Sequence, residues 1–189
     1  MNLNGALFDA INDLAGHVAF ADNAMKFAAQ YVIFGLFALV ALSWFIRTGT
    51  DESRRLAVYS ALLTGAFAFL ALITIRQFYE HPRPFMDRTD VVLLIQHSAD
   101  TSFPSDHATA AFALAAGIAM YRGRLGALLL ALAALISFAR VYTGLHYPFD
   151  VLGGAAIGIL IALALRTARP ALEWLDRTVV LRVLPAALR

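Results

Sequence analysis

Residues 56–75 read LAVYSALLTGAFAFLALITI, a run of about 20 residues without one charged side chain, which is the length a helix needs to cross the hydrocarbon core of a bilayer. Residues 27–46, FAAQYVIFGLFALVALSWFI, repeat the pattern. Working outward from these two, three shorter apolar runs follow: Ala108–Tyr121, Leu125–Ala139 and Val151–Leu165. At about 15 residues each they are short for a span. Polar residues extend them: Ser105, Asp106 and His107 precede the third run, Arg140 follows the fourth, and His146 and Asp150 precede the fifth. At about 1.5 Å per residue the extended helices cross, provided the polar groups sit in a protein-lined pocket at the membrane edge and not in lipid. The predicted fold class is all-α, an integral membrane bundle of about five transmembrane helices.

Composition agrees. Of 189 residues, 60% are hydrophobic and 15% charged, against roughly 25% charged in an ordinary soluble domain. The length fits a single domain. Basic residues lie near the ends of apolar runs, and no basic face of the kind that binds nucleic acid is present. With no cysteine in the chain, disulfides and thiolate chemistry are excluded. The first 25 residues hold no Lys or Arg, so no cleavable signal peptide is expected. Residues 1–25 carry Leu3, Leu7, Ile11 and Leu14 near helical spacing together with Asp9, Asp13 and Asp22. This reads as an amphipathic helix on the interface ahead of a bundle over 26–166. Leu172, Trp174, Leu175 and Val179 predict a second interfacial helix in the tail, 167–189.

Arginine placement orients the chain. If the five spans alternate, Arg47, Arg54, Arg55, Arg122, Arg124 and the tail arginines fall on one side. Lys26, Arg76, Arg83, Arg88 and Arg140 fall on the other. The richer side is cytoplasmic by the positive-inside rule, which turns the polar clusters toward the periplasm or exterior. Gly154 and Gly158 form a small-xxx-small pair, read as close packing within the bundle in preference to a dimer face.

Three polar clusters share that outer edge: Arg76 with Arg83-Pro84; Pro104-Ser105-Asp106-His107; and Arg140 with His146 and Asp150. Guanidinium forks suit phosphate oxygens and do not lose their charge. Ser105 stands at a helix N-cap position, where free N–H groups and the dipole favour an anion. The set reads as a phosphoryl site. Asp150, one turn beyond His146, is placed to accept a hydrogen bond from one ring nitrogen and leave the other to attack phosphorus. His107 is the candidate general acid. Each residue alone has an ordinary reading as a cap or interfacial charge. His81, His97, Glu80, Asp87, Asp90 and Asp100 are read as a solvated loop. A metal site built from His107, His146, Asp106 and Asp150 is the rival, opposed by three arginines that would repel a divalent cation.

These elements resemble the signature of the type 2 phosphatidic acid phosphatase superfamily: Lys-x6-Arg-Pro, Pro-Ser-Gly-His and Ser-Arg-x5-His-x3-Asp. Here they read Arg76-x6-Arg83-Pro84, Pro104-Ser105-Asp106-His107 and Ala139-Arg140-x5-His146-x3-Asp150, with arginine for lysine, aspartate for glycine and alanine for serine. The variant Pro-Ser-Asp-His, with His-Pro-Arg-Pro-Phe and His-Tyr-Pro-x-Asp-Val, is similar to the bacitracin-resistance subgroup of undecaprenyl pyrophosphate phosphatases. The resemblance implies a metal-independent enzyme of the bacterial plasma membrane that hydrolyses a polyprenyl diphosphate through a phosphohistidine and needs no cofactor. It carries the catalytic roles to His146, His107 and Asp150 and phosphate binding to Arg76, Arg83, Ser105 and Arg140. Asp106 is expected to shape the pocket for a diphosphate by pairing with an arginine. The alternatives are a phosphatase of phosphatidylglycerol phosphate or phosphatidate, a phosphotransferase, and a lipid-phosphate transporter.

Overall fold

The computed structural model describes residues 3–46, 49–180 and 182. The chain is all-helical there, in the order α1 (Leu3–Asn12), α2 (Ala19–Leu42), α3 (Asp51–Phe78), α4 (Pro84–Asp87), α5 (Asp106–Ala119), α6 (Gly123–Tyr142), α7 (Pro148–Arg166) and α8 (Arg169–Leu175), followed by a π-helical turn over Asp176–Val180. Local chemistry sets the helix starts. Thr50 caps α3 by accepting the Ser53 N–H at 3.1 Å, with Asp51 and Glu52 in its first turn. Pro84 and Pro148 open α4 and α7, where a missing N–H does no harm.

Among the described residues, four helices are long and apolar enough to cross a membrane: α2, α3, α6 and α7. The fifth predicted span corresponds to α5, which is apolar but shorter than these four. α5 has 14 residues, about 21 Å of helix by the usual rise. It is the hub of the bundle, packed by α3, α6 and α7. Small residues let it in. A Cβ on Gly117 of α5 would lie 2.5 Å from the Ala61 backbone of α3, and one on Gly126 of α6 would lie 2.3 Å from Ala119. On α7, a Cβ on Gly154 would meet Thr109 at 2.7 Å, and one on Gly158 would meet the Ala113 backbone at 2.6 Å. The glycine pair therefore faces α5, as the packing reading requires. The core that results is aliphatic: Ile33, Leu36, Ala57, Ala61, Ala111, Ala115, Ile118, Leu129 and Ile136. The outer surface is also apolar, with Phe27, Phe34, Phe69 and Leu160 each exposed. That is how a bundle looks when its solvent is lipid.

α1 exists, but α2 begins at Ala19, so residues 19–25 belong to the first span. Asp22, an acid expected to resist insertion, sits in the first turn of α2. There it accepts the Gly16 N–H at 3.1 Å and the Tyr142 hydroxyl at 2.9 Å. α1 is also pinned to the protein. Asn12 is buried, donates to the carbonyls of Val92 (3.0 Å) and Tyr142 (2.9 Å), and accepts the Val92 N–H at 2.9 Å. At the opposite end, the buried Arg55 of α3 grips Asp176 through two hydrogen bonds of 2.8 Å, fastening the segment after α8 to the bundle. The Val179 side chain, part of the predicted tail helix, lies outside the described residues.

Candidate active site

Arg83, Arg140, His146 and Asp150 meet at the end of the bundle where α3, α5 and α7 carry their polar termini. His146 lies in the link between α6 and α7 and is 1% exposed. Its Nε2 faces Arg83 Nη1 at 3.0 Å and Arg140 Nη2 at 3.4 Å. A guanidinium only donates, so Nε2 is the acceptor nitrogen and Nδ1 carries the proton. Nδ1 lies 3.2 Å from Ser102 Oγ, and the Ser102 hydroxyl donates to Asp150 Oδ2 at 2.5 Å. His146 Nδ1 and that carboxylate oxygen are 3.7 Å apart, too far for the direct bond expected from the sequence. A serine hydroxyl fills the gap. Asp150 also accepts the Tyr147 N–H at 2.8 Å, closing the first turn of α7 on itself. Burial, reinforced by the two arginines and only partly countered by Asp150, pulls the His146 imidazole down to about 3. The ring is therefore neutral, with its lone pair held between two cations.

The arginines are placed by different means. Arg83 precedes α4, is 1% exposed, donates to the Leu145 carbonyl at 3.0 Å, and pairs with Asp100 at 2.6 Å. Burial alone would raise the Asp100 carboxyl, but the Arg83 guanidinium holds it below the usual carboxylate range. Arg140 lies in the last turn of α6, buried, with Nε unpartnered among the described residues. Ser105 is the N-cap of α5, as expected, yet its buried Oγ has no hydrogen-bond partner among the described residues. Two buried donors without a protein partner beside His146 suit an anion. Arg76 stands apart from His146: it ends α3, donates to the Pro104 carbonyl at 2.9 Å, and forms an ion pair with Asp106. The expected Asp106–arginine pairing is thus present. His107, half-buried in the first turn of α5, has Arg140, His97 and Arg83 as electrostatic neighbours and makes no hydrogen bond within the described protein.

Residues 56–174 match the PAP2 superfamily, more than half of the chain. The chain belongs to that superfamily. Undecaprenyl-diphosphatase BcrC from Bacillus subtilis (strain 168) is 35% identical to this PAP2 phosphatase over 159 residues, covering 84% of this chain and 80% of that protein. A Bacillus licheniformis protein named for bacitracin transport, the permease protein BcrC, is 30% identical over 175 residues, 93% of this chain and 85% of its own. The crystal structure of Aquifex aeolicus LpxE superposes with a TM-score of 0.72 at 29% identity, over 87% of this chain and 94% of that one.

Three residues of this PAP2 site are not legible in the sequence. Ser102, the bridge from His146 to Asp150, carries no local signal, since a serine near a Pro is ordinary loop chemistry. Asp100 and His81 read as solvated loop. Asp100 instead holds Arg83. The His81 Nδ1 is buried and lies 3.8 Å from Asp150 Oδ1, with its ring stacked on Tyr79 and edge-on to Tyr147. Asp87 also has a partner, accepting the Tyr147 hydroxyl at 3.3 Å. No three His, Asp or Glu side chains converge as a metal-ligand set among the described residues.

Proposed function

We propose that this PAP2 phosphatase hydrolyses a polyprenyl diphosphate, undecaprenyl diphosphate by its similarity to the Bacillus subtilis relative, to the lipid monophosphate and inorganic phosphate. The observation that carries the reading is His146 Nε2 at the meeting point of the Arg83 and Arg140 guanidiniums, with Nδ1 tied through Ser102 to Asp150. The distal phosphoryl group enters between the arginines, whose N–H donors leave Nε2 for its oxygens. Nε2 then attacks phosphorus in line. The bond to the bridging oxygen breaks and its electron pair stays with the lipid phosphate; His107, whose charge burial and the neighbouring arginines disfavour in the empty site, takes up a proton as the anionic head group enters and supplies it to that oxygen. The proton on Nδ1 stays, steadied by Ser102 and Asp150 as positive charge builds on the ring. Water next attacks the phosphohistidine, giving up a proton to His107, and the P–N bond breaks to free phosphate. Arg83, Arg140, the Ser105 hydroxyl and the N-terminus of α5 hold the equatorial oxygens throughout.

Orientation belongs to the same reading. Arg54, Arg55, Arg122 and Arg124 gather at the end of the bundle away from His146, so the positive-inside rule puts the site at the outer face of a bacterial plasma membrane. The name of the Bacillus licheniformis relative favours a second reading, transport, in which the arginines only hold their ligand. Phosphate release separates the two. In detergent with EDTA, wild type should release phosphate from undecaprenyl diphosphate, and His146→Ala should be slower by roughly a thousandfold or more. Loss of wild-type activity to EDTA would point to a metal. A wild type that binds the lipid and releases nothing would support transport.

A further inference from the structure

Two cavities meet at Arg76. One is an apolar cleft of about 670 Å³, walled by Phe37 of α2 and by Phe69, Leu72 and Ile73 of α3, floored by Leu114 of α5, and headed by Arg76 and Asp106. The cleft exists because α2 packs mainly on α6 and only lightly on α3, leaving a gap between the two spans. From Arg76 to Gly65 it follows α3 for roughly 16 Å at the usual helical rise. Phe69 on its rim is 64% exposed, so the cleft opens to the lipid. The other cavity, about 480 Å³, is mixed, with Arg76, Glu80, His81, Asp100 and Thr101 in its wall beside Pro82 and Met86. It reaches the His146 cluster through Asp100, the partner of Arg83. Arg76 is common to both walls, so its guanidinium stands where an apolar tail ends and a charged head begins.

Both arginines on this path are held by exposed carboxylates: Arg83 by Asp100, 46% exposed, and Arg76 by Asp106, 52% exposed. Such carboxylates leave easily for water when a phosphoryl group takes the guanidinium. We propose that Arg76 reads the phosphoryl group next to the lipid tail, and that Asp106, competing for Arg76, makes the site select lipid diphosphates over lipid monophosphates. This deepens the phosphatase reading above and rests on it. With the distal phosphorus of a diphosphate at His146, the second phosphoryl group lies between the cluster and the cleft and takes Arg76 as Asp106 gives it up. One charged contact replaces another. A monophosphate with its phosphorus at His146 lays an alkyl chain past the Arg76–Asp106 pair. The chain must pass or part the pair while offering neither partner a replacement.

The test is kcat/KM for undecaprenyl diphosphate and undecaprenyl monophosphate, measured in one detergent on wild type, Asp106→Asn, Asp106→Gly, Asp106→Glu and Asp100→Asn. The wild-type ratio should favour the diphosphate. Asp106→Asn and Asp106→Gly should lower that ratio about five- to tenfold, mainly by raising monophosphate turnover. Asp106→Glu should keep it. Asp100→Asn, next to the reacting phosphoryl group that both lipids share, should change both rates in the same proportion. A ratio unmoved by Asp106→Asn and Asp106→Gly, with phosphate release still dependent on His146, would overturn the role of Asp106 and leave the phosphatase standing. Failure of the wild type to release phosphate from either lipid would remove the phosphatase reading itself, and this inference with it.

Discussion

His146 depends on its neighbours in two ways that can be separated. Ser102 sets which nitrogen carries the proton; Arg83 and Arg140 set what the other nitrogen faces. Ser102→Ala removes the bridge and leaves a 3.7 Å gap to Asp150. We expect kcat to fall about 10- to 100-fold, the range seen when orienting partners of ligating histidines are lost, with KM nearly unchanged. A change confined to KM would mean that Ser102 touches substrate instead. Protonation gives a second prediction. The His146 imidazole falls from its ordinary 6.5 to about 3 in the folded protein because burial disfavours its charge. Between those values the unfolded chain binds a proton that the folded chain refuses. Stability from this group is therefore complete above about 6.5 and lost as pH falls toward 3. Thermal unfolding in detergent across that window should show a shallower pH dependence for His146→Gln than for wild type. Equal slopes would place the acid sensitivity elsewhere. The site residues legible in the sequence are those whose chemistry is unusual for a membrane edge: arginines and histidines at set spacings. Ser102 and Asp100 are hidden because a serine and an aspartate in a loop look the same whether they face water or, as here, the buried His146 and Arg83. Only the return of the loop against α7 tells them apart.

At the scale of elements, the bundle turns on how closely its helices approach α5. Gly158→Ala would put a methyl 2.6 Å from the Ala113 backbone nitrogen, with no flexible side chain to yield. That substitution should destabilise the protein by about 1–3 kcal/mol, read as an earlier melt in detergent. Gly35→Ala is the control, since a Cβ there meets nothing within 4 Å and a helix-favouring residue replaces glycine. If both variants melt like wild type, α5 and α7 are held by something other than close approach. Length and apolarity make α2 and α3 plain in the sequence, because an uncharged run as long as the hydrocarbon core is thick rarely occurs outside a membrane. α5 carries the same apolar signal, yet its alanines and its one glycine, Gly117, mark a buried hub that a hydropathy count does not separate from a lipid-facing run. The start of α2 is obscured for a related reason: Asp22 looks like an obstacle to insertion until its partners, the Gly16 N–H and the Tyr142 hydroxyl, are seen.

For the whole molecule, the question is which way the bundle faces, because a membrane phosphatase acts only on lipid head groups that reach its side. The ends differ in charge chemistry. At the His146 end, Arg83 and Arg140 face the imidazole, and Arg76 pairs with Asp106 at the end of α3. The other end carries arginines with structural work: Arg55 holds Asp176, and Arg122 donates to the carbonyls of Ser43 at 2.7 Å and Ile46 at 3.2 Å. The positive-inside rule responds to arginine that must stay out of the translocation path. It therefore counts the second set at face value, while the proposed phosphate-binding role would account for the first set. The native chain has no cysteine, so single cysteines report topology without background. Asp90→Cys, on the exposed loop beside the site, should react with a membrane-impermeant maleimide on intact cells. Arg124→Cys, exposed at the start of α6, should react only after permeabilisation. The reverse pattern would place the site on the cytoplasmic face. The physical case for an outward-facing lipid diphosphatase would then fail even with the phosphohistidine chemistry intact, because the charge asymmetry that orients the helices and the geometry that binds phosphate are separate properties of this chain.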